Sequence, residues 1–405
     1  MAIGQTYHSE ITQRVASGRA LRQLTSAPAH SYPLYYFIPS VTADGRWMVF
    51  HSERAGSVQL FRMDLQSGDM VQLSDGNRFD SGWAIWCEYH LRGIDNHLSA
   101  LNLMRNEAYY FEGDTLHCTH VENLTQYQVW QQPGRVAISQ NAFSPDGRLF
   151  AFVHTDAQLF HRRLREREAL TNMRQFAWGQ DHNAWRNSMD CTVTVVDTAS
   201  GVARDVMELD YHVHHVLFID NDVLLFNHVR DDSGMWTLDL NSKQTCHLRP
   251  RDSNGVTCHQ AITAQGIYYE ANEYVAGERI VHIGRLDPAT GTHAEVLLPD
   301  VGYVHTGLDP AGCFLFYEDL QEDSHRLLTV RHPQDPARFA VEVLRALPPI
   351  APGQRFHAHP FLSVSDRRWL YHTEVIDGFA QICALDVGDL VDLDVYWVDA
   401  SGDAV

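Results

Sequence analysis

Six stretches of this chain repeat one pattern, and that repetition leaves few folds open. They are SVTADGRWMVFHS (40–52), AFSPDGRLFAFVH (142–154), LFIDNDVLLFNHV (217–229), AITAQGIYYEANE (261–273), GLDPAGCFLFYED (307–319) and FLSVSDRRWLYHT (361–373). Each sets an Asp, Asn or Gly turn before alternating apolar and aromatic residues, which predicts a hairpin of an antiparallel sheet. A second motif follows several of them: FRMDLQSGDMVQL (61–73), TVVDTASGVARDV (194–206), TLDLNSKQTCHL (237–248) and GRLDPATGTHAEVL (284–297). It reads as a third strand, a turn and an outer strand. Counting a degenerate unit near 106, turns recur near 44, 106, 146, 221, 265, 311 and 366. The intervals from 221 to 265 and from 265 to 311 are 44 and 46 residues. Four strands per unit at a period of about 40–50 residues describe a β-propeller, and seven turns predict seven blades. The 44% hydrophobic content is enough to fill the cores and excludes a disordered chain.

The last unit supplies only three strands, in LSVSDRRWLYHTEVIDGFAQICALDV. The N-terminal stretch SGRALRQLTS (17–26) resembles SGDMVQLSDG (67–76), the outer strand of the first unit. Residues 17–26 are therefore expected to complete the last blade and close the ring. The expected organisation is one all-β propeller over 1–390 and an acidic tail over 391–405. Residues 155–185 interrupt the pattern with charged, heptad-like sequence (Leu159, Leu164, Leu170, Met173) and predict a helical insertion. It reads either as a solvated helix or as a lid beside the mouth of the ring.

Charge and composition narrow the chemistry. Lys and Arg number 31 against 51 Asp and Glu, a net charge of −20, which argues against a general nucleic-acid binder. The single lysine, Lys243, nearly excludes Schiff-base and P-loop chemistry. Proton transfer near neutral pH falls to the 24 histidines. The first residues lack the basic and apolar regions of a secretory signal, and no apolar run spans a membrane. The seven cysteines are odd in number and form no C-x-x-C pair, as expected of a reduced, cytoplasmic protein.

GQRFHAHPF (353–361) is the densest polar constellation, a Q-x-x-H-x-H of Gln354, His357 and His359. On an extended strand, residues two apart share a face, so both imidazoles would aim at one point. Two imidazoles and an amide oxygen suit a divalent transition metal, although an isolated H-x-H is more often core or surface. His305 in DVGYVHTGLD and His259 in GVTCHQAIT also directly precede repeat turns. The repeat thus puts His259, His305 and the 357/359 pair on the innermost strands of consecutive blades, lining the channel as a metal or catalytic site. His214 and His215 hold the corresponding place one blade earlier.

The order NHV…TCHQ…YVHTG…QRFHAHP on seven units resembles the oligogalacturonate lyases, pectin-degrading enzymes built on a seven-bladed propeller. The resemblance runs diffusely through YYFIPSVTADG and QLSDG and is specific in the His/Gln set. It implies β-elimination of short uronate oligosaccharides with one divalent ion, manganese first. Through it His305, Gln354, His357 and His359 match metal ligands and His259 matches the Brønsted base. His228, Arg230 and His215 become candidates for binding the sugar. The proposed chemistry is consistent, because a metal on the uronate carboxylate acidifies the adjacent C–H and a neutral imidazole takes the proton.

Two positions depart from the family. Gly234 stands where the family has an Arg before M-W, and Pro39 where a basic residue is expected. The ion set is kept while its anion-binding periphery differs, so another uronic-acid oligosaccharide is open as substrate. The alternative reading is a non-catalytic propeller that binds sugar or protein around a structural ion, and a metal-dependent hydrolase or isomerase comes third. Trp83 and Trp86 read as blade packing or sugar stacking. Cys258 beside His259 reads as packing, since neighbours on a strand face opposite ways. No G-x-S-x-G occurs, which argues against a serine peptidase.

Overall fold

The structure, a computed structural model, describes residues 3–79, 91–172, 189–213, 215–228, 234–250, 255–263, 265–275, 278–298, 302–309, 314–321, 324–331, 340–350 and 353–391. Its strands form seven antiparallel sheets of four or five strands. From the axis outward, the first blade runs Ser31–Pro33, Trp47–Ser52, Gln59–Asp64 and Asp69–Gln72. The fifth runs Gly255–Thr263, Gly266–Val275, Glu278–Leu286 and His293–Leu297, and the sixth Tyr303–Leu308, Phe314–Gln321, Ser324–Arg331 and Ala340–Leu347. Six of the seven predicted turns join the innermost strand of a blade to its second strand, and the seventh, near 311, lies outside the described residues.

The repeated turn has a local cause. Thr42 and Ser144 donate their hydroxyls to Asp44 and Asp146 at 2.6 Å, and those carboxylates accept the backbone N–H of Arg46 and Arg148 at 3.0 Å. The next residues, Gly45 and Gly147, take the left-handed conformation that the turn needs (φ 73° and 69°). The aromatic alternation then explains the packing between blades. Tyr109 and Phe111 of the second blade meet Phe150 and Phe152 of the third, with Phe111 and Phe152 ring centres 5.1 Å apart. These rings are fully buried, each worth about 1.5–3 kcal/mol.

The ring closes as expected. Arg19–Gln23 pairs with Phe379–Asp386 of the last blade, with Leu21 opposite Leu385. Two strands go beyond the expectation. Thr12–Ala16 adds a fifth strand outside Arg19–Gln23, and Thr6–His8 pairs with Asp69–Gln72 on the rim of the first blade. One N-terminal segment is thus bonded into both blades at the seam.

The insertion forms a helix over Ala157–Asn172, between the second and third strands of the third blade. Phe160 and Leu164 are buried with Val136, Val153 and Met189, so the helix packs on its blade rather than standing in solvent. Residues 173–185 of the expected insertion lie outside the described residues, as does the acidic tail from 392 on.

Candidate active site

His259 sits on the inner strand of the fifth blade, where pairing with the second strand slips between Cys258 and Ala261. At this bulge His259 has φ 48°, so the alternation of faces fails. Cys258 and His259, expected on opposite faces, instead lie together, with Sγ 3.6 Å from Nδ1. Glu270, fully buried on the neighbouring strand, pairs with Nδ1 at 2.7 Å, and Asn272 donates to the other Glu270 oxygen. Burial opposes protonation of His259, but Cys258 and Glu270 outweigh it and raise the imidazole to about 10.

The sixth blade repeats the device. His305 faces Glu318 directly across the ladder, its Nδ1 2.8 Å from the carboxylate. The buried Glu318 also meets His325 Nε2 at 2.9 Å and His357 Nδ1 at 3.1 Å. Burial alone would raise Glu318, but these three imidazoles hold it well below the usual carboxylate range. Burial pushes His305 down to about 3, against the pull of Glu318, so it is a neutral imidazole. His325 moves up, because its bond to Glu318 outweighs its burial.

Gln354, His357 and His359 converge, but not as residues of one strand. Gln354–Phe356 is a 3₁₀ turn, His357 is extended, His359 has φ 41°, and the strand begins only at Phe361. The side chains are brought together by the turn and the left-handed residue, not by the two-residue strand period. This segment presses closely on the sixth blade. A Cβ at Gly307 would fall 1.9 Å from the Pro360 carbonyl oxygen, so only glycine fits two residues after His305.

The four residues expected from the resemblance to be metal ligands form one cluster. Ring centres are 4.4 Å apart for His305 and His359, 4.8 Å for His305 and His357, and 5.9 Å for His357 and His359. Three imidazoles bonded to one ion at about 2.1 Å stand about 4.5–6 Å apart, so the rings fit one ion. Gln354 Oε1 and His359 Nε2 are 3.0 Å apart, about the edge of such a coordination shell. His359 Nδ1 is buried with no hydrogen-bond partner, an orphan that needs explanation. Glu318 holds the Nδ1 side of His305 and His357, the outer-shell arrangement that directs Nε2 of a ligand imidazole to a metal. The donor set therefore fits a divalent cation. His259 lies next to it, its ring 5.0 Å from that of His305.

Two residues that were not anticipated fill the axis. Tyr35 and Tyr36 follow the short inner strand of the first blade and are almost wholly buried. Tyr35 contacts His359 at 4.8 Å and His215 at 5.8 Å between ring centres, and Tyr36 contacts His259 and His305, both at 5.8 Å. His215 stands 6.4 Å from His259 and so belongs to the same ring of side chains. His228 ends the second strand of the fourth blade, in the described backbone only, while Arg230, His214, Trp83 and Trp86 lie outside the described residues. Gly234 has a backbone reason to be glycine. Its φ is 139°, and a Cβ would lie 1.9 Å from the Arg249 carbonyl oxygen. Glu270 and Glu318 were also missed, although each ends an aromatic-Tyr-Glu run, YYE and FYE, at equivalent places in two repeats.

No protein-family model matches the sequence, and no curated protein matches it. Solved structures do match the fold. An oligogalacturonate lyase in complex with manganese superimposes with a TM-score of 0.78 at 15% identity, covering 95% of this chain and 98% of that one. The oligogalacturonate lyase of Vibrio parahaemolyticus gives 0.77 at 15% identity, covering 95% and 99%. A puromycin hydrolase gives 0.53 at 12% identity, and only 57% of its chain is covered. The seven-bladed architecture is thus shared with oligogalacturonate lyases over nearly the whole of both chains.

Proposed function

We propose that this protein is a divalent-cation-dependent lyase that cleaves short uronic-acid oligosaccharides by β-elimination. The observation that carries this reading is a buried imidazole oriented by a carboxylate, His259 on Glu270, beside the cation-type cluster of His305, Gln354, His357 and His359. A similar structure named as a manganese complex supports manganese as the ion.

Glu270 keeps a proton on Nδ1 of His259 and leaves the Nε2 lone pair to act as base. The target is the C5 proton, next to the uronate carboxylate. As Nε2 takes it, the C–H electrons form the C4–C5 double bond, the C4–O4 bond breaks, and the leaving oxygen takes a proton from water. A bound divalent cation would supply Lewis acidity to the carboxylate and, by its charge, favour the neutral form of His259. His215, His228 and Arg230 are proposed to hold the sugar, and residues to about 390 to act as one propeller. Among the described residues no helix is long and apolar enough to cross a membrane. The buried, unbridged thiols of Cys118, Cys191 and Cys383 suit the reducing cytoplasm, where we place the activity.

The test is a panel of uronate oligomers with added manganese, followed by the ultraviolet absorbance of the unsaturated product. His259→Ala should abolish turnover and leave the cation in place; retained activity rejects its role. Gly234, which leaves no side chain where the family carries an Arg, favours the second reading of a non-catalytic sugar or protein binder. That reading predicts no turnover of any uronide and a melting temperature lowered by chelator.

A further inference from the structure

The bulge at His259 does something that the base alone does not require, for it turns a cysteine toward the imidazole. Cys258 Sγ, His259 Nδ1 and a Glu270 carboxylate oxygen all lie within 4.8 Å of one another. Cys258 is half-buried, whereas His259 and Glu270 are buried. The Asn272 side-chain nitrogen bonds to Glu270 and lies 3.6 Å from Cys258 Sγ, so one N–H donor group serves both side chains. A thiol, an imidazole and a carboxylate gathered around one point are the donors of a zinc-class cation rather than of manganese or magnesium. None of the three belongs to the His305, Gln354, His357 and His359 set.

The structure assigns Cys258, His259 and Glu270 as a second, thiophilic cation site, and we infer that its occupancy silences the base. Cys258 gives up its thiol proton to solvent, and Sγ bonds the cation. The cation takes the Nδ1 lone pair, which is available only in the tautomer with the ring proton on Nε2. A ring with N–H at Nε2 has no lone pair there to receive the C5 proton. Zinc-class ions would therefore inhibit where manganese activates. The inhibition rests on the proposed role of His259 as base, whereas the cation site stands without it.

The experiment titrates the full chain, loaded with manganese, with Cd²⁺ as the visible zinc-class probe. One cadmium should bind with the ultraviolet charge-transfer band of a cadmium–thiolate bond while manganese stays bound. Cys258→Ser should remove the band. Glu270→Gln should weaken cadmium by about tenfold or more. His357→Ala, which removes a ligand of the first set, should keep the band. Zinc should lower uronide turnover by about tenfold or more in the wild type and by less than about twofold in Cys258→Ser, each against its own zinc-free rate. A missing band, a band that survives in Cys258→Ser, or a band lost in His357→Ala overturns the second site. A wild type with the band but no uronide turnover would sink the lyase reading and leave the cation site standing.

Discussion

At the scale of single residues, one pairing is used twice: an inner-strand histidine fixed by a glutamate from the second strand. In the fifth blade Glu270 serves one imidazole, and in the sixth Glu318 serves three. Glu318→Gln should therefore loosen the cation about 10–100-fold, measured by calorimetry, because His305 and His357 lose their common anchor. Glu270→Gln should lower kcat about 10²–10⁴-fold with manganese affinity within a few-fold of wild type, because an amide that donates to Nδ1 enforces the wrong tautomer. The histidines and Gln354 are legible in the sequence, since their types are distinctive and they precede recurring turns. Their shared carboxylates are not, because each sits 11 to 13 residues away on another strand and has the bland look of a strand glutamate. The geometry of His357 and His359 is also hidden, because a sequence that alternates like a strand here folds as a turn.

Among strands and turns, the contacts are close enough that single atoms decide them. Gly234→Ala puts a methyl into the Arg249 carbonyl at a left-handed position and should cost about 1–3 kcal/mol, seen as a lower melting temperature. Placing an arginine there, as the resemblance to the oligogalacturonate lyases would suggest, should fail for the same reason. The sixth and seventh blades are tied by Arg345, which donates to Glu374 at 3.1 and 2.5 Å. Burial would raise Glu374, but His372 and Arg345 outweigh it and hold the carboxyl at about 2, below its ordinary 4.5. A lowered folded-state pKa stabilises above about pH 4.5, and that stability is lost as pH falls through about 2. Glu374→Gln should accordingly cost about 2–3 kcal/mol at pH 7 and almost nothing near pH 2, in melting curves across that range. The hairpins are legible because Thr/Ser-x-Asp-Gly-Arg dictates the turn. The rim strand Thr6–His8 is not, because an exposed edge places almost no apolar demand on its residues.

For the molecule as a whole, closure is the vulnerable step. Removing residues 1–24 strips the Phe379–Asp386 strand of its partner. It should lower the melting temperature and drive self-association through the bared edge, both readable by calorimetry and gel filtration. The number of blades and the site of closure are legible because a repeat announces its own count. What fills the axis is not, since Tyr35 and Tyr36 come from the one repeat whose inner strand stops at Pro33.

The seam also orders events in time. Thr25 bonds Gln381 across 356 residues, whereas the other six sheets are built largely from neighbouring hairpins. Those six can assemble as they emerge from the ribosome, while the seventh must wait until the strand Phe379–Asp386 has been made. Until then the nascent protein is an open arc, and a late pause in translation is the moment at which a chaperone matters most.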